Sequence, residues 1–301
     1  MDKFVNEMKG GKSTFVIGCS NGARAAKILA RTLGMEYSAL DSGHFPDSDS
    51  YVRIMTEVRG KRVLLVQSLH PNTNDAMMEL ILAASTCREL GARHITLVVP
   101  YLAYMRQDKR FHPGECVSSK IMGRLLSSVA DAVITIDPHL HRYKRLSEVF
   151  SIPARHATAN LILGKYIRDH ISKPVIIGPD AESYQWAEEI ASVAGGPVVV
   201  LHKKRYGSQT VRIKLNSPVP LRGRNIVIVD DIISTGHTMH ETVKQARRMG
   251  AKKVYCIGVH GVFASGALQR LQRAGAVVLT TNTIDNPVAR IDITSLLAGV
   301  L

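Results

Sequence analysis

Short apolar runs alternate with helical patterns along the whole chain. In the first half, the pattern predicts strands at 15–18, 62–67, 95–99 and 133–136 and helices at 23–33, 75–90 and 118–129. After Pro153 the pattern restarts, with strands predicted at 175–177, 198–201, 226–229, 254–259 and 277–280 and helices at 181–194, 239–249 and 265–274. This alternation predicts an α/β fold with mostly parallel sheets. Since one sheet with so many strands is less favourable than two, we predict two domains, 1–150 and 151–301.

The stretch 225–238, NIVIVDDIISTGHT, carries the densest candidate chemistry. Asp230 and Asp231 follow the apolar run 226–229, at the end of a predicted buried strand, where open α/β sheets bind ligands. The residues after them offer hydroxyls and backbone N–H groups: Ser234, Thr235, Gly236 and Thr238. A turn that opens a helix attracts phosphate, because its N–H groups and the helix dipole both point at the anion. The stretch predicts a phosphate cradle beside two carboxylates that could hold sugar hydroxyls or a metal. The plainer alternative is a buried strand with a solvated turn.

The overall charge narrows the class of partner. The 301 residues carry a net charge of +14, with 45% hydrophobic and 5% aromatic residues. Such a balance fits either nucleic acid or anionic substrates. The basic residues are spread along the chain, with several in the loops 106–110 and 203–205, and aromatic residues are not interleaved with them as a stacking platform requires. We therefore favour polyphosphate substrates and expect no nucleic-acid partner.

The cysteines and the apolar runs indicate where the protein works. The four cysteines form no CxxC pair or Cys/His cluster, which argues against zinc and against a disulfide framework and favours a reducing, cytoplasmic location. No apolar run approaches the ~18 residues that a membrane span needs. We expect a cytoplasmic protein without a membrane partner.

The order of several motifs resembles one known family. The motifs are FPDSD at 45–49, RQDKRF at 106–111, DPH at 137–139, GPDA at 178–181, HKKR at 202–205, VDDIISTGHT at 229–238, HGVF at 260–263 and TTNTI at 280–284. In this order, over roughly residues 15–298, they are similar to the ribose-phosphate diphosphokinases, the phosphoribosyl diphosphate synthetases. Ser234 stands where that family often has an acid and is typical of its archaeal-like branch. The resemblance implies two phosphoribosyltransferase-type domains, each a mostly parallel sheet flanked by helices, with ATP on the N-terminal and ribose 5-phosphate on the C-terminal side.

The resemblance also implies a reaction and a set of site residues. The diphosphoryl group of ATP would move to the C1 hydroxyl of ribose 5-phosphate with Mg²⁺ as cofactor, releasing AMP. The implied metal residues are His139 and Asp180, and the implied catalytic residues are Lys203 and Arg205. The ATP side would use Phe45, Asp47, Asp49, Arg106, Gln107 and Asp108. Ribose 5-phosphate would be held by Asp230, Asp231, Ser234, Thr235, Gly236 and Thr238. In this family a neighbouring subunit completes the ATP site, which implies a homo-oligomer of at least two chains.

Some residues depart from the family pattern. Where the family usually continues Asp-Ala-Gly-Gly, this chain has Asp180-Ala181-Glu182-Ser183, and Glu182 adds negative charge near a polyanion. His237 stands where a second glycine is usual. These departures keep open a catalytically silent homologue that serves as a regulatory subunit. A phosphoribosyltransferase acting on a nitrogen base is disfavoured by the RQDKR motif, and a nucleic-acid binder by the spread of the charge.

Overall fold

The computed structural model describes residues 14–178, 184–200, 202–206, 210–214 and 219–301; at 184, 185, 200, 202–206 and 210–214 it describes the backbone alone. The chain divides into two compact units, Met1–Thr158 with Thr294–Leu301, and Ala159–Ile293. The division lies slightly beyond residue 150, and the C-terminal segment packs with the first unit. Among the described residues, no helix combines the length and the apolar character needed to cross a membrane.

The first unit is built on one parallel sheet. Its six strands are β1 (Thr14–Gly18), β2 (Glu36–Ala39), β5 (Arg62–Val66), β6 (His94–Val99), β7 (Ala132–Ile136) and β8 (Ala154–Ala157), in the order β2-β1-β5-β6-β7-β8. The central strands β1, β5, β6 and β7 are buried almost throughout, as expected for a parallel sheet that is covered on both faces. An antiparallel hairpin, β3 (Asp41–His44) and β4 (Ser50–Arg53), follows β2.

Among the described residues of the first unit, four helices accompany this sheet: α1 (Ala23–Leu33), α2 (Thr73–Glu89), α3 (Ser118–Val129) and α8 (Thr294–Val300). The helix α1 buries Ala26, Leu29 and Ala30 and ends at Gly34, whose φ of 65° suits a residue without a Cβ. The C-terminal helix α8 packs against α1 and the strands β7 and β8, and this packing explains its place in the first unit.

The second unit repeats this plan. Its parallel strands are β9 (Pro174–Gly178), β10 (Val198–Val200), β13 (Asn225–Ile233), β14 (Lys253–Gly261), β15 (Ala276–Thr281) and β16 (Ala289–Ile291), in the order β10-β9-β13-β14-β15-β16. A second antiparallel hairpin, β11 (His202–Tyr206) and β12 (Thr210–Lys214), follows β10. The helices are α4 (Asn160–His170), α5 (Tyr184–Ala194), α6 (His237–Arg248) and α7 (Ala267–Arg273).

Close packing in the second unit depends on one small residue and on an aliphatic core. At Gly164 of α4 a Cβ atom would lie 2.6 Å from Cβ of Val193 in α5, so glycine lets these two helices approach. The core that supports β13 and α6 includes Ile226, Ile228, Met239 and Val243, all of which are buried. The predicted α/β fold with two mostly parallel sheets is confirmed.

Candidate active site

The strand β13 is longer than its apolar run predicts. It continues through both aspartates to Ile233, because its neighbour β14 is equally long and pairs with it as far as Ile233 with Gly261. Asp230 and Asp231 therefore belong to the strand, and the turn before α6 consists of residues 234–236 alone.

The two carboxylates are held by the backbone next to them. The N–H of Asp231 donates to Oδ1 of Asp230 over 3.1 Å, and the N–H of Ile232 donates to Oδ1 of Asp231 over 2.7 Å. Both aspartates are half-buried. Burial first, and then the charge of Asp230, raise the pKa of the Cys256 thiol on β14 far above its ordinary value, so this thiol stays neutral. The carboxylates are thus fixed in orientation and still accessible.

The turn after β13 leaves the start of α6 open to an anion. Gly236, with φ 65° and ψ 12°, precedes the helix, and no side chain within the described ranges caps its first turn. Uncapped N–H groups at a helix N-terminus and the helix dipole together attract anions. Thr235 and His237 are exposed, whereas Ser234, Gly236 and Thr238 are half-buried.

The helix α7 packs against this turn and donates a hydrogen bond to it. Nη2 of Arg270 donates to the carbonyl oxygen of Thr235 over 2.6 Å. A Cβ atom at Gly236 would lie 3.4 Å from Cβ of Ala267, so the turn packs directly on α7. Arg270 is not among the predicted site residues, because no local signal in the sequence separates it from the neighbouring arginines.

The motifs HGVF and TTNTI form a hydrogen-bonded corner next to β13. His260 is buried, and its Nδ1 lies 2.9 Å from Oγ1 of Thr283. The hydroxyls of Thr281 and Thr283 both donate to the carbonyl oxygen of Val259, over 2.8 and 3.0 Å. These motifs therefore fix the end of β14, the strand against which the aspartates are aligned.

In the first unit, a strained turn carries the predicted metal residue His139. Asp137 and His139 follow β7 with φ values of 36° and 52°, uncommon for residues with side chains. Nδ1 of His139 lies 3.0 Å from Nε2 of His141, and the two ring centroids are 3.8 Å apart. Backbone strain of this kind is concentrated at functional sites, and it is consistent with a positioned His139.

The three predicted ATP-side residues 106–108 differ in exposure. Arg106 is exposed and Gln107 is half-buried, whereas the Asp108 side chain is 1% exposed. Nη1 of Arg142 donates to both carboxylate oxygens of Asp108, over 2.9 and 3.0 Å, and the Tyr143 hydroxyl donates to its carbonyl oxygen. Asp108 is therefore placed to hold the connection before α3 in shape. Sequence reasoning missed Arg142 and Tyr143.

The other predicted ATP-side residues lie on the hairpin β3–β4. Phe45, Asp47 and Asp49 form its exposed tip, where the N–H of Phe45 donates to the carbonyl oxygen of Asp49 over 2.8 Å. The Phe45 ring is 52% exposed and meets the Tyr51 ring edge-on at 5.6 Å.

Of the predicted residues Asp180, Lys203 and Arg205, the structure describes the backbone of the last two alone. Asp180 lies outside the described residues. Lys203 and Arg205 occupy alternate positions of β11, opposite Ile213 and Val211 of β12, and their side chains are outside the description. The HKKR motif thus starts a two-stranded hairpin.

Comparisons with known proteins agree with the motif order. Residues 14–129 match the model of the N-terminal domain of ribose phosphate pyrophosphokinase, and residues 145–296 match the phosphoribosyl transferase domain. The chain is 35% identical to the ribose-phosphate pyrophosphokinase of Methanopyrus kandleri, over 92% of this chain and 95% of the relative. The chain belongs to the ribose-phosphate pyrophosphokinase family. It is an enzyme of the transferase class, as the motif order predicts.

Further members of the ribose-phosphate pyrophosphokinase family resemble the chain along most of its length. The enzyme of Saccharolobus solfataricus is 34% identical, over 94% of this chain and 98% of the relative. The crystal structure of the phosphoribosylpyrophosphate synthetase from Mycobacterium smegmatis superimposes with a TM-score of 0.81 at 28% identity, over 95% of this chain and 97% of the other. The predicted family and its fold of two phosphoribosyltransferase-type domains are confirmed.

Proposed function

We propose that this enzyme makes 5-phosphoribosyl 1-diphosphate by moving the diphosphoryl group of ATP to the C1 hydroxyl of ribose 5-phosphate, with release of AMP. The observation that carries the proposal is the pairing, within 14 residues of the second unit, of two oriented carboxylates with an uncapped helix start. We assign the hydroxyls of the sugar to Asp230 and Asp231, and its 5-phosphate to Ser234, Thr235, Gly236 and Thr238. Family membership supports the same reaction.

The first unit is proposed to hold ATP. Arg106 and Gln107 stand on a connection whose backbone is held in shape by the ion pair between the buried Asp108 and Arg142. Positioning of this kind saves orientation entropy in the reaction, which phosphoryl transfer depends on. We propose that the exposed hairpin tip with Phe45 completes the ATP site of a neighbouring copy in a homo-oligomer.

We propose His139 and Asp180 as the residues that hold Mg²⁺. The contact with His141 uses Nδ1 of His139, so His139 would bind through Nε2 while His141 fixes the ring. One imidazole and one carboxylate leave most positions to water and phosphate oxygens, which suits an ion that keeps several waters. When bound, the ion would neutralise charge on the polyphosphate.

Lys203 and Arg205 are proposed to stabilise the diphosphoryl group while it is transferred. A cation that is aimed at developing charge in a closed site acts on the transition state more than on the ground state. We therefore expect Lys203→Ala to lower kcat by about a hundredfold or more. Lys204, the position between them in β11, provides the matched control, and Lys204→Ala should retain most of the turnover.

The deciding experiment is AMP release from ATP and magnesium, with and without ribose 5-phosphate, followed by identification of the sugar product. We expect AMP to appear only when ribose 5-phosphate is present, with 5-phosphoribosyl 1-diphosphate in equal amount. AMP release that ignores the sugar phosphate would overturn the proposal. No turnover with intact substrate binding would favour the second candidate, a catalytically silent regulatory subunit, which the Glu182 departure supports.

A further inference from the structure

The segment that follows β7 contacts the connection between β6 and α3 through two neighbouring side chains. Nη1 of Arg142 donates to both carboxylate oxygens of Asp108, over 2.9 and 3.0 Å. The Tyr143 hydroxyl donates to the carbonyl oxygen of Asp108 over 3.2 Å. Asp108 is thus held at its side chain and at its backbone by two consecutive residues of one short segment.

The same contacts extend to the residue before Asp108. The hydroxyls of Tyr143 and Ser119 lie 2.7 Å apart, and the Ser119 hydroxyl donates to the carbonyl oxygen of Gln107 over 3.3 Å. The side chains of Tyr143 and Ser119 are both buried, where a polar group that loses its partner costs more than it does at the surface. The backbone at Gln107 and Asp108 is therefore tied both to α3 and to the segment after β7.

Burial makes Arg142 the important member of this group. The Asp108 side chain is 1% exposed, whereas the Arg142 side chain is 43% exposed. A buried carboxylate requires a cation or several donors, because its desolvation cost is otherwise uncompensated. The Arg142 guanidinium also lies 5.6 Å from the centroid of the exposed Phe111 ring. Arg142 therefore contacts the motif 106–111 at two separate positions.

The segment that carries Arg142 also carries the proposed Mg²⁺ residue. Arg142 follows His139 by three positions, and His139 lies in the turn after β7. A chain of three residues spans only about 10 Å, so the position of Arg142 limits that of His139. The two arms of the proposed ATP site, the connection with Arg106 and Gln107 and the turn with His139, are thus joined by the contacts to Asp108.

We propose that Arg142 and Tyr143 are positioning residues for the nucleotide, which hold the backbone beside Arg106 and Gln107 in place relative to the turn of His139. Both act through Asp108 and touch neither ATP nor Mg²⁺. The inference rests on the proposed function, which takes ATP and Mg²⁺ to bind at these two arms. Its consequence is a coupling, because each ligand then binds where the arm for the other ligand is already in place.

The first test measures ATP binding to the whole protein by calorimetry in the presence of Mg²⁺. We expect Arg142→Gln to weaken binding about tenfold, because Asp108 loses its cation and the connection can rearrange. Arg142→Lys keeps a cation beside the carboxylate and should recover most of the affinity. The affinity for ribose 5-phosphate should stay unchanged, because that ligand is assigned to the second unit.

Lys144→Gln is the matched control for the loss of one positive charge. Lys144 is an exposed cation of the same segment, and its side chain has no hydrogen bond or ion pair among the described residues, so this variant should bind ATP like the wild type. Equal weakening by Lys144→Gln and Arg142→Gln would overturn the assignment, because net charge would then explain both. A lower midpoint of urea unfolding in Arg142→Gln with unchanged ATP affinity would overturn it as well, since Arg142 would then serve stability alone.

Tyr143→Phe tests the same assignment without disturbing the ion pair. This variant keeps the buried ring and removes only the hydroxyl that donates to Asp108, so the protein should fold even if Arg142→Gln does not. We expect ATP binding to weaken about threefold. An unchanged affinity would remove Tyr143 from the assignment.

The second test measures the coupling between the two arms, as the ratio of the ATP affinities with and without Mg²⁺. ATP chelates the ion equally in every sample, so a change in this ratio between variants reports the contribution of the protein. The ratio should be about threefold smaller in Arg142→Gln than in the wild type. An equal ratio would overturn the link to the turn of His139. A wild-type protein that does not bind ATP at all would refute the proposed function, whereas wild-type binding with no loss in Arg142→Gln would refute this inference alone.

Discussion

The two units share a topology and differ in how they use the ends of their strands. In each unit a helix joins the first two parallel strands, a hairpin follows the second strand, and a helix leaves the third strand, β5 or β13. The residue before that helix is left-handed in both units: Asn72 with φ 56° and Gly236 with φ 65°. The two backbones are therefore equivalent at the position that carries the candidate site.

In the first unit, the protein's own side chains accept hydrogen bonds from the backbone N–H groups of the turn after β1. The N–H of Ser20, in the turn after β1, donates to Oε1 of Glu79 over 2.7 Å, and the N–H of Asn21 donates to Oε1 of Gln67 over 2.9 Å. The Asn21 side chain donates to the carbonyl oxygen of Pro71 over 2.8 Å and so ties this turn to the one after β5. A buried carboxylate, Glu79, thus serves as an internal anion.

In the second unit, two carboxylates remain accessible to a ligand, whereas the Glu79 carboxylate of the first unit accepts an internal hydrogen bond. Asp230 and Asp231 are half-buried at the end of β13. In the described part of the chain the start of α6 is without a side-chain cap, and so is the equivalent start of α2, so the two units differ in these carboxylates and not in the helix start. The comparison shows that the same topology can carry internally hydrogen-bonded side chains beside its first and third strands, or half-buried carboxylates at the end of its third strand. The choice depends on a few polar residues and leaves the sheet unchanged.

The largest loss of stability is expected from a substitution at Gly22, which packs against the backbone at the end of β5. A Cβ atom there would lie 1.9 Å from the carbonyl oxygen of Val66, a backbone atom that cannot move without breaking β5. Gly22→Ala should lower the free energy of unfolding by more than about 3 kcal/mol. Gly43→Ala is the control, because no atom lies within 4 Å of a Cβ at that position. Urea unfolding of both variants measures the difference, and equal midpoints would refute the steric argument.

The second effect concerns the internal anion. Glu79→Ala leaves the N–H of Ser20 without its acceptor and should lower the free energy of unfolding by about 2–3 kcal/mol. Glu79→Gln keeps an acceptor oxygen and should recover part of that loss. The KM for ribose 5-phosphate should stay unchanged in both variants. A rise in KM without a loss of stability would mean that the first unit also presents its carboxylate to a ligand.

The sequence predicts the central strands well and three of the four described edge strands poorly; the exception is the apolar edge strand β10. The apolar runs 62–67 and 226–229 identify β5 and the core of β13, because a strand buried on both faces has to be apolar. The short strands β2, β8 and β16 read EYSA, ARHA and ARI and lack such a run. Edge strands of this kind are defined by pairing with a distant neighbour, which a local pattern does not report.

The candidate site also has a part that the sequence predicts and a part that it does not. The motif around Asp230 and Asp231 is continuous in the sequence and is recognised there. The supporting bonds, from Arg142 to Asp108 and from Arg270 to Thr235, join residues 34 and 35 positions apart. In a chain with 39 lysines and arginines, nothing local distinguishes these two from the rest.

Asp231→Asn tests the carboxylates of the second unit. Like Glu79→Gln, it replaces a carboxylate by the corresponding amide. Asparagine keeps an oxygen where Oδ1 of Asp231 accepts from the N–H of Ile232, so the strand should stay in place and the midpoint of urea unfolding should not move. Loss of the charge should weaken ribose 5-phosphate binding about tenfold to thirtyfold. Calorimetric titration with ribose 5-phosphate measures this. A loss of stability with unchanged affinity would place Asp231, like Glu79, among the internal anions.

The smallest effect is expected at Asn72 and Gly236, the left-handed residues that precede the equivalent helices α2 and α6. A Cβ at Gly236 would make ordinary contacts, 3.4 Å to Ala267 and 3.5 Å to Leu271, so the left-handed backbone and not space should set the cost of a substitution. Asparagine tolerates that backbone better than alanine does. Gly236→Ala should therefore cost about 1 kcal/mol and Gly236→Asn about half as much. Asn72→Gly should be nearly neutral, and thermal unfolding resolves these steps. Equal costs for the alanine and asparagine variants at 236 would mean that contact with α7, and not the backbone conformation shared with Asn72, decides which residue can start this helix.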